Sequence, residues 1–165
     1  MAEYSVTVHR TTPRTIAAVR ARLPLGTVSS SFGRYLDQVY AAGKTGAVQL
    51  DGQNIFLYEC SAESAPDADV AFGVGVKAPF STSGAVEPVP LPAGEVATTT
   101  HFGNYAKLGA AHDAVTRWCR EHDRRLTGTS WEVYGHWTED ESQLRTDVFY
   151  LLAPAGQAPS SGQGS

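Results

Sequence analysis

The spacing of apolar and polar residues changes along the chain, and each change marks an element. The β-prone stretches Tyr4 to His9 and Thr15-Ile16-Ala17-Ala18-Val19-Arg20 predict two short strands near the start. Apolar side chains then fall at Phe32, Tyr35, Leu36, Val39 and Tyr40, offsets that mark one face of a helix. Ser29, Ser30 and Ser31 stand where N-terminal caps are expected, and Gly43 where a left-handed C-terminal cap would end the helix. Strands are predicted over Asn54 to Cys60 and Asp69 to Lys77, joined by an acidic, polar connection.

The segment Ser81-Thr82-Ser83-Gly84-Ala85 breaks this pattern, and Val86 to Pro92 is studded with prolines. Proline has no N–H to give a central ladder, so this stretch is an edge strand or a connector. The order then repeats. A strand over Glu95 to Phe102 leads into a helix with Leu108, Ala111, Val115, Trp118 and Cys119 on one face, followed by strands over Ser130 to His136 and Leu144 to Leu152. Tyr58 precedes Val70 by the same 12 residues that separate Tyr134 from Thr146. Phe72 then matches Val148, and Val74 matches Tyr150. Matching order and spacing predict a duplicated α+β unit, with modules over about 4–80 and 86–152 in a domain spanning 1–152. Residues 153–165 contain only Ala, Pro, Gly, Gln and Ser, too little apolar surface to offset ordering, and read as a disordered tail.

Charge narrows the function classes. The chain carries 17 acidic and 13 basic residues for a formal charge of −4, which argues against a general phosphate-backbone binder. No run approaches the length of a membrane span, and the first residues lack a signal peptide's pattern. The two cysteines, Cys60 and Cys119, form no spacing motif, and a reducing cytoplasm is the simplest expectation.

Candidate chemistry gathers on one strand. Alternation puts Glu132, Tyr134 and His136 on one face and Trp131 and Val133 on the other, which is expected to lie under the helix. The corresponding face of the first half carries Phe56 and Tyr58. Two readings follow. Glu132 is an ordinary exposed strand residue with aromatic cross-strand neighbours, or it is an anion in an aromatic-walled pocket that attracts a bulky organic cation.

The residues from Leu91 to Tyr105, the strand Thr129-Ser130-Trp131-Glu132-Val133-Tyr134 and the closing Arg145-Thr146-Asp147-Val148 resemble the GyrI-like small-molecule-binding family. The Arg20 to Leu25 segment, the Ser29 to Gly43 helix and Asp69 to Val76 agree, so the resemblance covers about residues 5–152. It implies two strand-helix-strand-strand modules about a pseudo-twofold axis, with a ligand cleft where they meet. Members serve as effector-binding domains of multidrug-sensing regulators, or stand alone as drug-binding or gyrase-modulating proteins. The family's ligand-facing glutamate matches Glu132, and the adjoining tyrosine matches Tyr134. Phe56, Tyr58, Phe72 and Tyr150 join the candidate ligand-binding set from strand facing and the repeat. The regulators' DNA-binding helices precede this domain, whereas a strand is expected here almost from Met1. The expectation is therefore a stand-alone domain without direct DNA binding, taking small lipophilic cations or aromatic drugs.

Two rival functions stay open. A branch of the family hydrolyses strained cyclopropanoid electrophiles, for which Glu132 would act as acid or base and Tyr134 as hydrogen-bond donor. A protein-interaction module, such as a gyrase modulator, is the other. No cofactor or metal is expected: His9, His101, His112, His122 and His136 show no ligand spacing and read as scattered imidazoles. Gly43-Lys44-Thr45 lacks the first glycine of a phosphate loop, and Gly73-Val74-Gly75 reads as a close backbone approach. Arg117, Arg120, Arg124 and Arg125 read as a solvated face at the helix end.

Overall fold

The chain runs β1 (Thr7–Thr11), β2 (Arg14–Pro24), α1 (Val28–Lys44), β3 (Leu50–Glu59), β4 (Asp67–Val76), β5 (Glu87–Leu91), β6 (Gly94–Phe102), α2 (Gly109–Glu121), β7 (Leu126–Tyr134) and β8 (Arg145–Leu152). The structure, a computed structural model, describes residues 4–60, 66–136 and 138–154. The tail expected over 153–165 lies outside the described residues from position 155 on. All eight strands form one antiparallel sheet in the order β1-β6-β8-β7-β3-β4-β2-β5, curled into a half-barrel.

That order is symmetric about the central β7–β3 pair, and the register shows how closely the halves match. Tyr58 faces Val70, and Tyr134 faces Thr146. Ile16 faces Gly75, and Val96 faces Leu151. Residues of β3 and β4 therefore recur 76 positions later, while those of β2 recur 80 positions later. The difference of four is the turn by which α1, at 17 residues, exceeds α2, at 13. The outer strands are exchanged: β1 pairs with β6 of the second module, and β5 with β2 of the first. Pro88 and Pro90 sit in β5 at the sheet's edge, where a missing N–H costs no central ladder bond.

Three expectations change at this level. α1 starts at Val28 after a 3-10 turn, Leu25–Thr27, and its first turn has no side-chain cap. Ser30 Oγ instead donates back to the Thr27 carbonyl. Gly43 lies inside α1, where a Cβ would meet Leu50 Cδ1 at 2.6 Å, and the left-handed backbone comes later at Gly46, with φ +86°. The third change concerns which sheet face the helices cover. Leu36 and Val39 of α1 pack with Phe56, Tyr58 and Phe72, the face that also carries Glu132. Trp131 and Val133 point to the helix-free side, where Trp131 is buried and stacks on Phe149 at 5.5 Å. Alternation could not settle this, because the curled sheet buries both faces: Ile55, Phe56, Leu57 and Tyr58 are all buried in succession.

A cleft built where the modules meet

The helix-covered face of the central strand pair holds an unusual neighbour relation. Phe56 of β3 and Glu132 of β7 are directly opposed in the ladder, and they are also each other's counterparts in the repeat, 76 positions apart. The pseudo-twofold axis thus passes between a phenyl ring and a carboxylate. Glu132 is only 5% exposed, so its charge must be met inside the protein.

Three groups meet it. Tyr58 and Tyr134, themselves repeat counterparts, both donate to Oε1, at 2.9 and 2.6 Å. His112 of α2 lies with Nε2 2.6 Å from Oε2, and its Nδ1 lies 2.6 Å from the Tyr150 hydroxyl. Hydroxyl donors aimed at one oxygen stabilise an ionised carboxylate. The first turns of α1 and α2 lack side-chain caps and line the same cavity, adding their positive ends to its surroundings. Burial, with the Glu132 charge next, pushes the Tyr58, Tyr134 and Tyr150 hydroxyls well above the usual phenol range. These three phenols therefore stay neutral donors throughout the physiological range.

Glu132 lines two neighbouring hollows. The larger, about 1040 Å³, is walled by Phe32, Phe56, Tyr58, Tyr105, Tyr134 and His136 among others. The smaller, about 620 Å³, is bounded by His112, Tyr150, Cys60 and Leu126. Leu25, Val28, Tyr58, Gly109 and Glu132 belong to both. The aromatic wall is mutually braced: Phe56 lies 5.1 Å from Tyr134, and Tyr105 meets Tyr134 edge-on at 5.5 Å. Leu25, Phe32, Tyr105 and Leu126, around the two hollows, are partly exposed and give them an apolar rim.

Of the residues singled out from sequence, Glu132, Tyr134, Tyr58 and Phe56 converge here, and Tyr150 lines the smaller hollow. Phe72 does not. It is fully buried behind Phe56, stacked on Tyr35 at 4.8 Å, because β4 lies one strand farther from the axis. The carboxylates of Glu59 at the end of β3 and Glu95 in β6 lie elsewhere, paired with Arg20 and Arg124. His112, expected among the scattered imidazoles, touches the central carboxylate instead. A signal was present: position 112 lies within the apolar stripe 108, 111, 115, 119, so its side chain had to face the sheet. Among the described residues, no three or more His, Cys, Asp or Glu side chains gather to hold a metal ion, and no helix is long and apolar enough to cross a membrane.

A family model described as the GyrI-like small molecule binding domain matches residues 5–152. A search among curated proteins found no match. Among solved structures, the chain is similar to the EcmrR C-terminal domain, with TM-score 0.72, 19% identity, and coverage of 91% of this chain and 98% of that one. It is also similar to SAV2435 bound to tetraphenylphosphonium, with TM-score 0.65, 9% identity, and coverage of 90% and 94%. A hydrolase from Listeria innocua gives TM-score 0.60 at 11% identity, covering 90% and 91%.

Proposed function

Because the chain belongs to the GyrI-like small-molecule-binding family, we propose that its cleft takes up lipophilic, aromatic cations, with Glu132 as the counter-charge. One observation carries this reading: a carboxylate only 5% exposed stands on the floor of a cavity of about 1040 Å³ walled by aromatic rings. A guest that brings positive charge and apolar surface compensates the buried anion and gains cation–π contact of roughly 0.5–2 kcal/mol per ring. Phe56, Tyr58 and Tyr134 form the wall. Stacking and a single charge tolerate many shapes, so the range of guests is broad.

The test is a fluorescence or calorimetric titration with tetraphenylphosphonium, comparing wild type with a Glu132→Gln variant shown to be folded. The variant is expected to bind more than tenfold more weakly. Equal affinity would remove Glu132 from the site.

A second reading is the opening of strained cyclopropanoid electrophiles by water. The contact of Glu132 with His112, extended to Tyr150, favours it, since the chain of groups can pass a proton to or from a reacting water. Turnover of such a compound, lost in Glu132→Gln, supports this reading. Stoichiometric binding without product counts against it.

A further inference from the structure

Glu132 and His112 together pose a problem for any cation that enters. With its ring protonated, His112 at 2.6 Å from Glu132 forms a neutral pair with the carboxylate. Adding a lipophilic cation to that pair leaves one uncompensated positive charge in a largely apolar cavity, which is costly. The geometry around His112 offers a way out. Nε2 faces Glu132, and Nδ1 faces a hydroxyl, at 2.6 Å on each side. A hydroxyl both donates and accepts. When the ring is an imidazolium, Nδ1–H donates to the Tyr150 oxygen. When the ring is neutral, with its proton on Nε2 toward Glu132, the Tyr150 hydroxyl turns and donates to Nδ1. Both states leave every buried polar group of the trio partnered.

We propose that His112 is the built-in counter-ion of Glu132 in the ligand-free protein, and that a cationic ligand takes over this role as the imidazole gives up a proton. The site exchanges a proton for a cation. The N–H bond at Nδ1 breaks, its electron pair stays on nitrogen, and the proton leaves past Tyr150 through the smaller hollow to water or buffer. Charge in the cleft is the same before and after. This inference rests on the cationic reading above and assigns its specificity: the cleft prefers charged over uncharged aromatics only to the extent that His112 is neutral in the complex.

The other groups facing the trio do not supply that proton. Tyr58 from β3, Tyr134 from β7 and Tyr150 from β8 are held neutral, as described above. Tyr40 from α1 and Tyr105 from the turn before α2 are likewise pushed upward by burial. Burial also raises the Cys60 and Cys119 thiols. Asp113, beside His112, and His136, on the rim of the larger hollow, are exposed to solvent. Among the described residues, His136 is the imidazole lining the larger hollow and serves as an internal control.

The experiment is a titration of the full chain with tetraphenylphosphonium, which has no proton to exchange. It is followed by ¹⁵N NMR of labelled histidines and by calorimetry in two buffers of different ionisation enthalpy. In acidic buffer, the His112 ring is expected to change from imidazolium to the neutral Nε2–H form, with about one proton released per bound cation. Affinity should rise by up to about tenfold per pH unit until His112 is neutral in the free protein. Triphenylphosphine oxide, an uncharged relative, should show no such slope. His112→Gln, which keeps His136, should abolish both the proton release and the slope. If that variant does not fold, the wild-type NMR still decides. Cation binding that leaves His112 doubly protonated, or that releases no proton in acid, overturns this inference alone. A cation that does not bind at any pH overturns the proposed function and this inference with it.

Discussion

The two modules use one backbone plan for opposite purposes. In the first, Phe32 of α1 packs on Phe56 of β3 at 5.7 Å. In the second, the positions 80 and 76 residues later are His112 of α2 and Glu132 of β7, joined by a 2.6 Å contact. The same helix-to-strand contact is an apolar pair on one side of the axis and an ion-forming pair on the other. The tyrosines, by contrast, are kept: Tyr58 and Tyr134 reach the same Glu132 oxygen from both modules. Symmetry therefore supplies two equivalent donors, and its breaking at a single pair supplies one charge for them to hold. A symmetric second glutamate at position 56 would place two carboxylates directly opposite in one ladder, where they could not both stay ionised at low cost.

The largest expected effect is on the apolar side of this comparison. Phe56 is buried and touches Phe32, Phe72 and Tyr134. Phe56→Ala should cost about 3–5 kcal/mol in urea denaturation. Phe32→Ala, at a partly exposed position, should cost clearly less. If the two were equal, the rim and the core would not be distinct as described.

Next come the shared tyrosines. Tyr58→Phe and Tyr134→Phe each remove one donor from a buried carboxylate, at about 1.5–3 kcal/mol. Because both act on Oε1, their double variant should deviate from additivity. Their hydroxyls also set an alkaline limit. Burial and Glu132 raise the folded-state phenol titrations, so the folded protein holds these protons more tightly than the unfolded chain. That stability is fully present below about pH 10, where a free phenol titrates, and is lost as pH rises beyond it. Phenolate absorbance should show these tyrosines ionising only as the protein unfolds; early ionisation of all phenols would contradict the burial described.

Much of this was legible in the sequence, for definite reasons. The repeat could be read because Tyr58/Val70 and Tyr134/Thr146 have fixed spacing, and register preserves spacing. Glu132 stood out because a carboxylate flanked by aromatics on an otherwise β-prone strand is conspicuous. The covered face was not legible, since a strand buried on both sides, such as Ile55 to Tyr58, gives no polar row to mark the outside. Nor was the exchange of β1 and β5, because edge pairing depends on how far the sheet curls rather than on either strand's composition. His112 was hidden differently: one polar residue within an apolar helical stripe is easily discounted until its partner across the sheet is known.

The smallest effects lie where the chain enters the two helices. Before α2, Asn104 accepts from the Ala106 N–H through Oδ1, and its backbone oxygen meets His101 Nε2. The counterpart 80 residues earlier is Pro24, which has no side-chain acceptor. Asn104→Ala should therefore cost about 1 kcal/mol and loosen Tyr105, the wall residue that follows it, with a modest loss of cation affinity. Ser30, which looked like a cap, has Ala110 as its counterpart and bonds only to the Thr27 carbonyl. Ser30→Ala makes the modules more alike at this position, so it should change stability by less than about 0.5 kcal/mol. A loss near 1 kcal/mol in thermal or urea unfolding would mean that Ser30 does cap α1 in solution. The entries to the two helices would then be more alike than the hydrogen bonds describe.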